Sequence, residues 1–250
     1  SGRCLVMAIL NATPDSFSDG GALDDDAALD TRIRDLLAAG ADILDVGGES
    51  TRPGHELVAP DVETRRVVRV VHAIRAVDAE IPISIDTSKA KVASAALAAG
   101  ASFINDVSGM SDPAMGALVR DAGCAIVLMR DEDVSGDILP GVQAQLAARV
   151  QRALHAGIGS DAIVVDPGLG FGARPGPHVA DNLALVDAGA AYGPYPVLIG
   201  ASRKRFVGTL MDEPVADRRV AGSVAMAVRA RDAGAAIVRA HDVAETVAAL

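Results

Sequence analysis

One recurring unit constrains this chain more than any other feature: an Ala-rich stretch with helical periodicity ends near Gly, and a short apolar run follows. It reads LAAGADILDV over 37–46, LAAGASFINDV over 97–107, RDAGCAIVLM over 120–129 and RDAGAAIVRAHDV over 231–243. Gly after a helix supplies a left-handed cap, and the β-branched run beyond it reads as a strand buried on both faces. Looser copies lie at 155–168 (HAGIGSDAIVVDPG) and 193–202 (GPYPVLIGAS). Runs near 4–10 and 82–87 bring the strands to eight, centred on Val6, Leu44, Ile85, Ile104, Val127, Val164, Leu198 and Val238. Helical stretches between them mean parallel βαβ units. A doubly wound open sheet competes. Eight strands alternating with eight helices, the last at the C-terminal end, favour an α/β fold of the (β/α)8 TIM-barrel type, a single domain over 1–250.

The chain has 250 residues, half of them hydrophobic, yet no Trp, two Tyr and four Phe. Its core must therefore be aliphatic, as a barrel interior packed with branched side chains requires. A net charge of −10 argues against broad nucleic-acid binding, which needs clustered Lys and Arg. A small anion in a local basic pocket stays possible. No apolar run is long enough to span a bilayer and no signal peptide opens the chain, so a cytoplasmic protein is expected. Cys4 and Cys124 lack metal-ligand spacing and read as free thiols in a reducing compartment.

Nearly every strand ends in polar or Gly-rich residues, where this fold carries its chemistry. Strand 1 leads into NATPDSFSDGG (11–21), a polar loop that can order over a substrate, with Asn11 placed to bind metal or phosphate. DVGGESTRPG (45–54) ends strand 2; Gly47-Gly48 lets backbone approach a ligand, and Arg52 before Pro53 offers a forked donor. Asp45 reads equally as a structural acceptor. SIDT (84–87), NDVSG (105–109) and DPGLGFG (166–172) place Asp86, Asn105 and Asp166 at the rim of a low-dielectric interior. Such groups need partners, and a ligand rich in N–H donors would supply them. ASRKRFVG (201–208) puts cations after strand 7, expected to face the mouth, and RAHDV (239–243) sets Arg239 and His241 on one side to grip an anion. No Ser-His-Asp, Cys-His or zinc-type arrangement occurs, so placement and charge should carry catalysis.

These seven blocks, in this order over the whole chain, resemble those of the dihydropteroate synthases, the folate-pathway enzymes inhibited by sulfonamides. The resemblance implies condensation of 6-hydroxymethyl-7,8-dihydropterin diphosphate with p-aminobenzoate, releasing pyrophosphate with help from Mg2+. It implies pterin contacts at Asp86, Asn105, Met129, Asp166 and Lys204. Asn11, Arg239 and His241 would hold the diphosphate, with Asn11 also serving the magnesium. Thr51, Arg52, Pro53, Phe171 and Lys204 would surround p-aminobenzoate, beneath a lid containing Thr13, Pro14, Asp15, Ser16, Phe17 and Asp19. Asp86, Lys204, Arg239 and His241 would carry the catalysis, and the subunits would pair as a homodimer through helices near 216–233 and 242–249. The chain departs from the family pattern at Arg130, where His is frequent, at Ala173, where Lys is common, and at Arg205, where Ser often follows the Lys. Pterin-binding barrels of the corrinoid methyltransferase kind and non-catalytic pterin binders are the alternatives; neither has a use for the anion residues and the lid.

Overall fold

The computed structural model describes residues 3–12, 26–49, 57–130, 133–134, 136–171 and 178–250. The strands are β1 (Leu5–Asn11), β2 (Ile43–Gly47), β3 (Ile83–Asp86), β4 (Phe103–Asp106), β5 (Ala125–Met129), β6 (Ile163–Asp166), β7 (Leu198–Ile199) and β8 (Ile237–Ala240). All pairings are parallel, in the order β6-β5-β4-β3-β2-β1-β8-β7. A parallel bridge between Val165 and Val197 joins the two ends, with the Val165 N–H donating to the Pro196 carbonyl at 3.0 Å. The sheet thus closes into a TIM barrel, and each expected strand centre lies within a strand.

Helices α1 (Asp26–Ala38), α2 (Pro60–Val77), α3 (Ala90–Ala98), α4 (Met115–Ala122), α5 (Ile138–His155) and α6 (Val179–Ala188) link the first seven strands. Two helices, α7 (Arg205–Met211) and α8 (Val220–Asp232), fill the connection to β8, and α9 (Val243–Ala249) follows it. The described residues therefore hold nine α-helices, not the eight expected. The extra break has a local cause: Asp212 adopts φ 53°, and Pro214 just beyond it cannot continue a helix. The glycines of the recurring unit (Gly40, Gly100, Gly123, Gly157 and Gly234) all have positive φ, as their capping role requires.

The barrel floor is apolar. Met7, Ile43, Val127, Leu198 and Ile237 form one buried cluster, with Leu5, Phe103 and Val164 packed against it. A second, larger cluster fills the layer between barrel and helices; there Val67, Val70, Val71 and Ile74 of α2 meet strand residues such as Leu44, Val46 and Ile85. Successive side chains on a strand point to opposite faces. Residues an even number of steps from the floor cluster therefore also point inward. That parity decides what lines the mouth.

Candidate active site

At the C-terminal rim, Asn11, Gly47, Asp86 and Asn105 stand in register across four neighbouring strands. Each has the inward parity of the floor: Asn11 lies four steps above Met7, Gly47 four above Ile43, and Asn105 two above Phe103. Met129 and Asp166, paired across β5 and β6, lie two steps above Val127 and Val164. Arg239 and His241 rise two and four steps above Ile237. One face of the sheet thus gathers every strand-borne residue singled out from the sequence.

Charge is concentrated inside this ring. Arg239 donates through Nε to Asp45 Oδ2 at 2.6 Å and through Nη2 to Asp86 Oδ2 at 2.9 Å. Asn105 Nδ2 donates to the same oxygen of Asp45 at 3.2 Å. Asp45 is wholly buried, as its reading as a structural acceptor requires. One oxygen of each carboxylate, Oδ1 of Asp45 and Oδ1 of Asp86, is buried without a hydrogen-bond partner. Burial pushes the Asp86 carboxyl up from 3.8 to about 7, although the Arg239 cation pulls the other way. The site therefore holds an acceptor that is costly to leave unmet.

Asp166 sits across the mouth, on β6. Its Oδ1 accepts from the Gly168 N–H at 2.7 Å, and burial raises its carboxyl against the pull of Lys204. Lys204 donates from Nζ to the Leu169 carbonyl, and its Nζ lies 4.5 Å from the centre of the Phe171 ring, a cation–π contact. Burial draws the Lys204 amine down to about 8. Gly168 has φ 67°, and a Cβ there would come within 2.4 Å of the Arg130 carbonyl oxygen, so only Gly fits. Arg130 itself is buried and donates to the Pro167 carbonyl at 3.0 Å and the Gly168 carbonyl at 3.2 Å. The departure at Arg130 thus clamps the loop after β6 from outside the pocket. Asn182 of α6 clamps it further along, accepting from the Gly170 N–H at 2.7 Å.

The cations after β7 do not all face the mouth, as the sequence reading expected. Lys204 does, but Arg203 turns outward to Asp242 at 2.5 Å and to Asp217. Its φ of 58° reverses the chain there. Arg205 opens α7 and is exposed. Ser202 completes this corner: its Oγ accepts from the His241 N–H at 3.1 Å and lies 3.0 Å from His241 Nδ1.

The glycine pair after β2 also divides. A Cβ on Gly47 would face Asn11 Oδ1 at 3.5 Å and Asp86 Cβ at 3.7 Å, on the pocket side. On Gly48 it would strike Glu63 Cγ and Val67 Cγ2 of α2 at 2.8 Å. Gly48 is thus required by helix packing, not by a ligand. Glu63, Lys89, Asn182 and Ser202 went unnoticed in the sequence. Only Glu63 carries a signal, sharing the apolar stripe of Val67, Val70, Val71 and Ile74 on α2. Thr51, Arg52, Pro53, Ala173 and the lid residues Thr13, Pro14, Asp15, Ser16, Phe17 and Asp19 lie outside the described residues.

A TIM barrel whose mouth combines buried carboxylates, an amide and inward-facing cations has the architecture of an enzyme active site. Comparison with known proteins narrows the class: the pterin binding enzyme family matches residues 7–241, and the chain belongs to it. A dihydropteroate synthase of Bacillus subtilis is 43% identical over 247 residues, 96% of this chain and 84% of that protein. One from Mycobacterium leprae is 45% identical over 266 residues, 98% of this chain and 90% of its own length. Among solved structures, Xanthomonas albilineans dihydropteroate synthase with 4-aminobenzoic acid superposes with a TM-score of 0.91 at 42% identity, covering 99% of this chain and 90% of that one. The same enzyme in complex with 7,8-dihydropteroate gives 0.88 at 40% identity, covering 99% and 91%. Among the described residues no helix is long and apolar enough to cross a membrane.

Proposed function

We propose that the chain condenses 6-hydroxymethyl-7,8-dihydropterin diphosphate with p-aminobenzoate, giving 7,8-dihydropteroate and pyrophosphate. The observation that carries this reading is the pair of buried carboxylates with unmet oxygens, Asp45 and Asp86, beside Asn105. A pterin edge presents adjacent N–H donors, the complement such acceptors need. Asp166 faces the same cavity from the opposite wall, with Met129 as apolar packing and Lys204 as a donor. Arg239 spends Nε and Nη2 on the carboxylates; a guanidinium has five N–H groups, so donors remain for a diphosphate beside His241. Thr51, Arg52, Pro53 and Phe171 are proposed around p-aminobenzoate and around sulfonamides that mimic it, with residues 13–19 closing over them. Support for the arylamine comes from the Xanthomonas enzyme with 4-aminobenzoic acid and from a Yersinia pestis relative in complex with a sulfonamide drug.

The reaction follows an S_N1-like course. The C–O bond to diphosphate breaks first, and the methylene cation is conjugated with the pterin ring. Ionised Asp86 lies where that positive charge develops, while Arg239 and His241 stabilise the leaving anion. The neutral arylamine forms the new C–N bond and then loses a proton, so no strong base is needed. Magnesium fits this site as a companion of the substrate. Among the described residues no three His, Cys, Asp or Glu side chains gather to hold an ion. Its ligands would be Asn11 Oδ1 and diphosphate oxygens, the hard set it prefers. Bound there, it would neutralise charge on the leaving group. We further propose a cytoplasmic homodimer, consistent with the free Cys4 and Cys124.

The test is pyrophosphate release coupled to 7,8-dihydropteroate formation, expected only when pterin diphosphate, p-aminobenzoate and magnesium are all present. Pterin binding without turnover would sink the reading in favour of a non-catalytic binder. A methylene carrying a chiral label should lose its configuration; strict inversion would overturn the S_N1-like course.

A further inference from the structure

Two consecutive residues of the turn after β7 are tied to two consecutive residues at the end of β8. Ser202 meets His241, and Arg203 grips Asp242 through Nε at 3.1 Å and Nη2 at 2.5 Å. The turn is also fixed from the helix side. The Arg203 backbone N–H donates to Ser223 Oγ of α8 at 2.9 Å, and that hydroxyl donates to the Arg219 carbonyl at 2.7 Å. Ser202 Oγ therefore has a set position beside the His241 ring.

A serine hydroxyl has one hydrogen to donate and two lone pairs to accept with. The backbone N–H of His241 takes one lone pair of Ser202 at 3.1 Å. Among the described residues, His241 Nδ1, at 3.0 Å, is the one acceptor within reach of the hydroxyl hydrogen. In the neutral ring Nδ1 is then the accepting nitrogen, and the single ring hydrogen sits on Nε2. The other tautomer would aim an Nδ1 hydrogen at Oγ and leave the serine hydrogen unmet. The charged ring carries hydrogen on both nitrogens, so only the neutral ring needs selecting. An anion can only accept, and a bare Nε2 would repel it.

We propose that Ser202 is a positioning residue for the diphosphate: it accepts from the backbone and donates to Nδ1 of His241, and so fixes the ring's rotation and keeps its hydrogen on Nε2. This rests on the proposed function, which places the diphosphate beside Arg239 and His241. Ser202 acts through the ring and not by its own contact with substrate.

Nitrogen-15 NMR of the histidine-labelled parent, with His241 assigned by its loss in His241→Ala, reads the tautomer without any substrate. The neutral ring should show a protonated Nε2 and a bare, hydrogen-bonded Nδ1. In Ser202→Ala the Nδ1 resonance should move downfield as that bond is lost. With magnesium present, Ser202→Ala should raise the Kd for pterin diphosphate about three- to tenfold, the worth of one neutral hydrogen bond. The Kd for the same hydroxymethyl pterin without its diphosphate should not change. Ser202→Thr keeps the hydroxyl, and a small cavity lined by Ile199, Ser202, Ser223, Val238 and Thr246 has room for its methyl group, so it should recover most of the loss. In a His241→Ala background, Ser202→Ala should add less than about twofold. A parent ring protonated at Nδ1 overturns the proposal. So does an equal loss in both backgrounds, which marks an effect carried by the backbone, or a parallel decline of melting temperature and of affinity for the hydroxymethyl pterin. A parent that binds the pterin no more tightly with its diphosphate than without it instead defeats the proposed function, and the diphosphate assignment with it.

Discussion

Asp86 shows how burial sets chemistry at a single residue. Its carboxyl is raised to about 7, so near neutrality the unliganded barrel holds a substantial share of neutral acid. Because the folded value lies above the ordinary 3.8, this group's contribution to stability is full below about pH 4 and is lost as pH rises through about 7. A pterin that donates N–H bonds favours the ionised form and reverses that preference. Binding at about pH 6 should therefore expel close to one proton, and at about pH 8.5 almost none. Titration calorimetry in buffers of differing ionisation enthalpy reads this directly. In Asp86→Asn the proton release should vanish and pterin affinity should fall about ten- to a hundredfold, the worth of a charged hydrogen bond. Proton release that persists in the variant would assign the effect to another group. Sequence alone marked Asp86 as a polar residue following an apolar run. It could not reveal that Arg239, more than a hundred and fifty positions away in the chain, shares its oxygen.

Single elements act through their ends. The strand-end motifs were legible because polar residues break apolar runs, and the helix caps because Gly follows each Ala-rich helix. The supports behind the motifs were not legible, since each joins elements distant in sequence. The loop after β6 illustrates this. Arg130, just after β5, holds Pro167 and Gly168, while Asn182 on α6 both accepts from the Gly170 N–H and donates to the His178 carbonyl at 2.8 Å. Asn182→Ala would remove the acceptor of the Gly170 N–H, and because Gly170 is itself exposed the loss should cost about 0.5–1.5 kcal/mol. Because Gly170 precedes Phe171, that cost should appear in function too. Denaturant titration should show the lost stability, and kinetics a raised KM for p-aminobenzoate. A variant with parental stability and kinetics would show that α6 does not hold this loop.

At the scale of the molecule, closure of the sheet separates two tasks. The apolar floor supplies packing, and the rim above it gathers charges that would repel or go unmet in an open sheet. Outside the barrel, Leu210, Met211 and Val215 expose apolar surface where α7 ends and the chain turns toward α8. That surface lies just before the helical stretch proposed to mediate pairing. Sedimentation of the parent should give twice the 25.4 kDa chain mass, and Leu210→Glu combined with Val215→Glu should shift it to the monomer. A parent that sediments as a monomer at micromolar concentration would overturn the dimer.

The sequence by itself marked the strand centres and the inward residues on the strands, and favoured the barrel over an open sheet, because each depends on periodicity and on the step of two along a strand. It also carried the family, through motifs whose order survives in a linear string. Only the tertiary structure decided which of those residues are partners. Arg239 reaches Asp45 and Asp86 because β1 pairs with both β8 and β2, and the curved sheet turns these inward side chains toward one another, and Gly48 serves α2 because that helix folds back onto its own strand. Burial, which sets the charge preference of Asp86 and Lys204, is a property of the assembled barrel and of no local pattern.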